Sequence, residues 1–149
     1  MILRKKIESI FVGRIAEVYP AQSVMKGHDV GERDIQSGVT LYCSSVREYD
    51  DGFIRRGVYS ASLMLIIESN TQDEDNTQAS IETLAGQLTD IIEDTTALGS
   101  LINLRAYCTT NYPEIYLHDI KPSEDMPEVE DYNLNNLFNY EIVFEYLDV

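Results

Sequence analysis

Two histidines and two cysteines are all that this chain of 149 residues offers for metal binding or nucleophilic chemistry beyond its carboxylates and hydroxyls. His28 lies in GHDVGERD with Asp29, Glu32 and Asp34. Three carboxylates and an imidazole could hold a hard cation and would then suit metal-assisted hydrolysis. Their spacing fits no recognised ligand pattern, and the segment reads as a solvated loop. His118 precedes Asp119 in an extended segment. Adjacent side chains on a strand point to opposite faces, so these two form no dyad. Cys43 and Cys108 each share a face with an apolar neighbour, Leu41 and Leu104, and neither has a local cation or imidazole to stabilise a thiolate. They are expected to be buried, inert thiols, and could pair only if their strands were adjacent. The carboxylates are too many for any two to stand out as an acid–base pair. No GxxxxGK[ST] loop, GxGxxG turn, HExxH, CxxC, EF-hand loop or GxSxG elbow occurs. The chain is therefore read as a non-enzyme, with no catalytic residue, metal site or cofactor.

Charge narrows the partners. Eleven Lys and Arg against 26 Asp and Glu give −15. Binding to phosphates requires clustered cations, so sequence-specific nucleic-acid binding is not expected. Anionic bilayer surfaces repel such a chain, and no apolar run reaches the roughly 18–20 residues of a membrane-spanning helix. The first residues lack the apolar core of a secretion signal, and two distant cysteines suit a reducing compartment. With 44% apolar and 25% charged residues, residues 1–149 read as one globular domain.

The elements follow from periodicity. Leu3, Ile7, Ile10, Phe11, Ile15 and Val18 make residues 2–18 an amphipathic helix. Its Arg4, Lys5, Lys6 and Arg14 are read as a solvated face, or else as a contact onto an acidic neighbouring subunit. Residues 20–38 show no period and read as a long flexible loop or arm, with room for a short hairpin. Residues 39–47 form a strand, and Asp51-Gly52 marks a turn. Residues 55–68 form a longer strand. Tyr59, Ala61, Leu63, Leu65 and Ile67 make its core face, while Met64 and Ile66 leave an apolar patch on the other face that something must cover.

A helix spans about 77–96, with stripe Ile81, Leu84, Ala85, Leu88, Ile91 and Ile92 and with Gly99 as its stop. Asp73, Glu74 and Asp75 suit its N-terminal dipole. Glu93 and Asp94 oppose the C-terminal one, so they are expected to be solvated or neutralised by an external cation. Residues 101–109 read as a strand through Ile102, Leu104, Ala106 and Cys108, and Ile115 to Ile120 as another. Residues 121–133 read as an acidic loop interrupted by Pro122 and Pro127. The final strand alternates Phe138, Tyr140, Ile142, Phe144 and Tyr146 with a mostly wet face. The order predicts an α+β fold: one twisted mixed or antiparallel sheet of about four to five strands, with two helices packed on one face.

From Val39 onward the chain resembles the tail terminator (tail completion, minor tail) proteins of tailed bacteriophages. The resemblance rests on RRGVYSASLMLIIES, the acidic linker TQDEDNTQA, the helix IETLAGQLTDIIED running into TALGSLINLRAY, and the closing strand NYEIVFEY, after an amphipathic N-terminal helix. It implies a structural virion protein. Copies would form a ring, usually a hexamer, that caps the tail tube, ends its polymerisation and joins the tail to the head connector. The implied partners are further copies, the tail tube protein and the head-completion or connector protein. The implied place is the head-proximal end of the tail in the virion, and the host cytoplasm during assembly. Under that reading an acidic channel would let DNA slide. The residues chosen for the assembly or channel surface are Asp73, Glu74 and Asp75 with Glu124, Asp125, Glu128, Glu130 and Asp131. The alternatives are another neck, connector or tail tube component, a non-viral binding module or assembly adaptor, and a metal-dependent hydrolase built on His28.

Overall fold

A computed structural model describes residues 3–20, 24–27, 38–50, 54–68, 74–96, 99–123 and 136–147. The first helix, α1 (Leu3–Val18), buries Ile7, Ile10, Phe11 and Ile15 completely. These positions recur at helical spacing, and each such side chain contributes about 1.5–3 kcal/mol when taken out of water. The helix closes with the Tyr19 N–H donating to the Ile15 carbonyl at 2.7 Å. Pro20 follows and disfavours helical backbone at the residue before it.

A five-stranded mixed sheet follows, built from β1 (Val24–Lys26), β2 (Gly38–Asp50), β3 (Ile54–Glu68), β6 (Ile115–Pro122) and β7 (Asn136–Tyr146), in the order β1-β2-β3-β7-β6. Only β1 runs parallel to its neighbour, pairing Val24 with Val39. The described part of the 20–38 arm therefore forms an edge strand rather than a hairpin. The other pairings are antiparallel. The last strand of the chain is central, lying between β3 and β6, which accounts for its clear alternation.

The expected core face of β3 is observed: Ala61, Leu63, Leu65 and Ile67 are buried, and Tyr140, Ile142 and Phe144 of β7 lie beside them in register. Tyr59 stacks on Phe144 with ring centroids 5.8 Å apart. Asn139 and Val143, on the face of β7 expected to be wet, retain only 5% and 8% exposure.

Helix α2 (Glu74–Glu93) buries Ala85, Leu88 and Ile92 against the same core. It starts and stops a few residues earlier than its stripe suggests. Gly99 is not its stop: Asp94 takes the left-handed conformation at φ 50°, and the two-residue strands β4 (Thr95–Thr96) and β5 (Gly99–Ser100) pair beyond it.

Residues 101–109 are not a strand. Ile102–Asn111 is a third helix, α3, opened by Leu101 at φ 65°. Leu101, Leu104 and Cys108 are buried while Ile102 and Ala106 are exposed, which is a three- and four-residue repeat. All three helices contribute to one core cluster on one side of the sheet. The α+β class stands, with three helices where two were expected.

Candidate assembly face

The helix-bearing side of the sheet is closed by specific polar contacts. Between Cys43 and Ser45 the β2 register slips by one residue, a bulge that removes a backbone group from the ladder. Glu8 of α1, with 0% exposure, fills that gap: its Oε2 accepts the Cys43 N–H at 2.9 Å. Arg4, one turn earlier, donates to the Ser44 carbonyl at 3.5 Å. Lys6 Nζ donates to Glu114 Oε1 at 3.0 Å and lies 5.2 Å from the centre of the Tyr146 ring. Arg14 pairs with Glu17 at 3.1 Å. Arg4, Lys6 and Arg14 thus serve this chain's own contacts, which neither reading of the basic cluster anticipated.

Asp94 was expected to be solvated and is 4% exposed. Its Oδ2 accepts the Leu104 N–H at 3.0 Å and its Oδ1 accepts from Asn103 Nδ2 at 2.9 Å. It caps α3, satisfying one of the first-turn donors that every helix leaves open. A second bulge, between Leu117 and Asp119 of β6, is held by Arg105 of α3. That guanidinium donates to the Leu117 carbonyl at 2.9 Å and to the His118 carbonyl at 3.2 Å, and it lies 5.2 Å from the centre of the Tyr116 ring.

The opposite side of the sheet carries no helix among the described residues. At one end of β2, β3 and β7 it carries the half-buried Tyr42, Ile66 and Leu137 beside the buried Thr40 and Met64. The apolar patch expected at Met64 and Ile66 lies here. Met64 keeps 6% exposure and Ile66 is half-buried. Thr40 Oγ1 is buried without a partner.

The middle is polar: Ser62 Oγ donates to Asn139 Oδ1 at 3.0 Å, and Ser44 Oγ donates to the Ser62 carbonyl at 3.4 Å. Toward the far end two adjoining hollows, of about 240 and 510 Å3, share Arg47, Ser60 and Glu141. Arg47 is exposed and forms no ion pair among the described residues. Beyond the hollows, Glu145 lies 3.5 Å from His118 Nε2, and Glu141 lies 3.8 Å from Lys121 Nζ. Hydroxyls line the hollows but no imidazole does. The surface grades from apolar to charged, which suits contact with another protein surface.

Asp73, Glu124, Asp125, Glu128, Glu130 and Asp131 lie outside the described residues, as do His28, Asp29, Glu32, Asp34 and the turn at Asp51-Gly52. Glu74 and Asp75 begin α2. His118 is exposed and packs edge-on to Tyr116, with ring centroids 5.0 Å apart. Cys43 and Cys108 are both buried and unpaired with each other. Burial pushes each thiol up to about 12.

Glu8, Asp94 and Arg105 were not recognised from sequence. Glu8 was recognisable in principle, because it lies between Ile7 and Phe11 within the apolar stripe. Among the described residues, no group of three His, Cys, Asp or Glu could hold a metal ion. No described helix is long and apolar enough to cross a membrane. A scan against protein-family models gives no match, and no curated protein matches the chain significantly.

Proposed function

We propose that the protein is a structural subunit that associates side by side with its own copies, forming the ring that caps a bacteriophage tail tube and joins it to the head connector. The graded second face of the sheet carries this reading. Among the described residues three helices close one face, and the other runs from a half-buried apolar end at Tyr42 and Ile66, beside the buried Met64, to a charged end at Arg47 and Glu141. A surface of that kind fits a heterologous contact between identical chains, the kind that closes into rings, better than the enclosure of a small substrate. The role itself comes from the resemblance of the chain from Val39 onward to tail terminator proteins. In this reading Asp73, Glu74, Asp75, Glu124, Asp125, Glu128, Glu130 and Asp131 are the residues chosen to supply an assembly surface or a channel that repels the passing duplex.

The net charge supplies the test. Copies carrying −15 repel one another at low ionic strength, and the Debye length falls from about 10 Å at 0.1 M salt to about 3 Å at 1 M. Sedimentation velocity from 0.05 to 1 M NaCl is expected to show a monomer giving way to a discrete large species. Arg47→Glu is expected to shift that transition to higher protein concentration by about tenfold. A monomer at every salt concentration up to millimolar protein refutes the reading.

A further inference from the structure

We infer that the cavity beneath the C-terminal end of α2 binds a primary alkylammonium group, the chemistry shared by a lysine side chain and a small aliphatic amine. The cavity has a volume of about 310 Å3 and lies where α2 meets the start of β7 and the end of β6. That is the small-ligand end of the range for binding pockets. Leu137, Phe138 and Pro122 give it apolar walls, and Glu93 and Tyr140 bring polar atoms to it.

Three observations converge on a cation with an apolar stem. First, a helix C-terminus carries about half a negative charge and is ordinarily balanced by Lys, Arg or His. The last turn of α2 has no basic residue and instead carries Asp90 and Glu93. Asp94 adds nothing to this pole, because its carboxylate is engaged on α3. Glu93 forms no ion pair among the described residues, and burial together with Asp90 raises its pKa. Its carboxylate is thus partly desolvated and lacks a countercharge among the described residues.

Second, Tyr140 is 3% exposed, borders the cavity and forms no hydrogen bond among the described residues. The hydroxyl keeps access to the cavity, so its oxygen is available to a donor placed there. An ammonium offers three donors, which Glu93, the Tyr140 oxygen and the Ser123 hydroxyl on the cavity wall could accept. Third, the apolar walls suit methylenes. They also disfavour a bare divalent ion, which needs six or more oxygen ligands.

The test is an NMR amide-shift titration of the full-length protein with n-butylammonium chloride, with n-butanol and NaCl as controls. Saturable shifts are expected around residues 89–93, 123 and 137–140. The affinity should rise about threefold to fourfold per methylene from ethyl- to butylammonium. That series uses the unmodified chain, so it holds even if a variant misfolds. Glu93→Gln should weaken binding at least tenfold.

Nα-acetyl-lysine N-methylamide separates the sources. Binding comparable to butylammonium assigns the site to a partner's lysine, whereas binding of the free amine alone assigns it to a small amine. Absence of saturable shifts with either ligand, or equal binding by Glu93→Gln, overturns the inference.

Discussion

Asp94 offers a quantitative test of how the helical layer is assembled, because one side chain does two things there. It ends α2 in the left-handed region at φ 50°, and its carboxylate caps α3 through the Leu104 N–H and the Asn103 amide. Asp94→Ala removes both. Leaving a buried N–H without a partner costs about 1–3 kcal/mol, and placing alanine in left-handed backbone costs about 1 kcal/mol more. The sum is about 2–4 kcal/mol. For a domain of this length each kcal/mol shifts Tm by about 2–4 °C, so Asp94→Ala should melt roughly 4–16 °C lower.

Asp94→Gly loses the cap but relieves the backbone, and should recover about 1 kcal/mol relative to alanine. Asp94→Asn keeps an acceptor and tolerates the conformation, and should cost about 1 kcal/mol through loss of the charge-assisted bond. The expected order of stability is Asp, Asn, Gly, Ala. Urea denaturation followed by circular dichroism at 25 °C measures it. If alanine matches glycine, or lies within 0.5 kcal/mol of wild type by the yardstick for neutral surface changes, the dual role is refuted.

Three other outcomes follow from the same structure. A Cβ built on Gly13 would run into the Tyr107 hydroxyl, so Gly13→Ala should destabilise the native chain but stabilise a Tyr107→Ala background by up to about 1 kcal/mol, the helix preference of alanine over glycine. A double-mutant cycle reads the sign change.

Glu114 is held below the ordinary carboxylate range by its own backbone N–H and by Lys6, and Lys6 is held above 10.5 chiefly by its hydrogen bond to Glu114. The lowered Glu114 pKa contributes stability above the unfolded value of about 4.3 that is lost as pH falls through the folded one. The raised Lys6 pKa contributes stability at neutral pH that is lost as pH rises through its folded value. Lys6→Met should therefore cost about 0.5–1 kcal/mol at pH 7 and less at pH 3, measured by denaturant titration at both values.

With their thiols pushed up to about 12, Cys43 and Cys108 hold about one thiolate in ten thousand at pH 8. Reaction with a disulfide reagent should be at least a thousandfold slower in buffer than in 8 M urea. Equal rates would contradict their burial.

The long strands were readable because the face toward the helices is uniformly apolar in VYSASLMLI and NYEIVFEY, whereas the other face mixes polar and apolar residues even where Met64, Asn139 and Val143 are buried. The third helix was not, because Ile102, Leu104, Ala106 and Cys108 also alternate, and over ten residues both periods fit. What decides it is tertiary. Asp94 caps it from the end of α2, and Arg105 ties it to the β6 bulge, contacts that no local pattern carries. Glu8 was overlooked for a related reason: its partner is a backbone N–H that becomes available only where β2 bulges. The second apolar patch was foreshadowed by the pair Met64 and Ile66, but the hollow around Arg47 required the register of three strands to be known.

Negative-stain imaging of the concentrated protein in 1 M NaCl tests the central claim most directly. Closed rings of about six subunits, with Arg47→Glu giving separate particles under the same conditions, are the predicted result. Single compact particles, or open chains that never close, would contradict it.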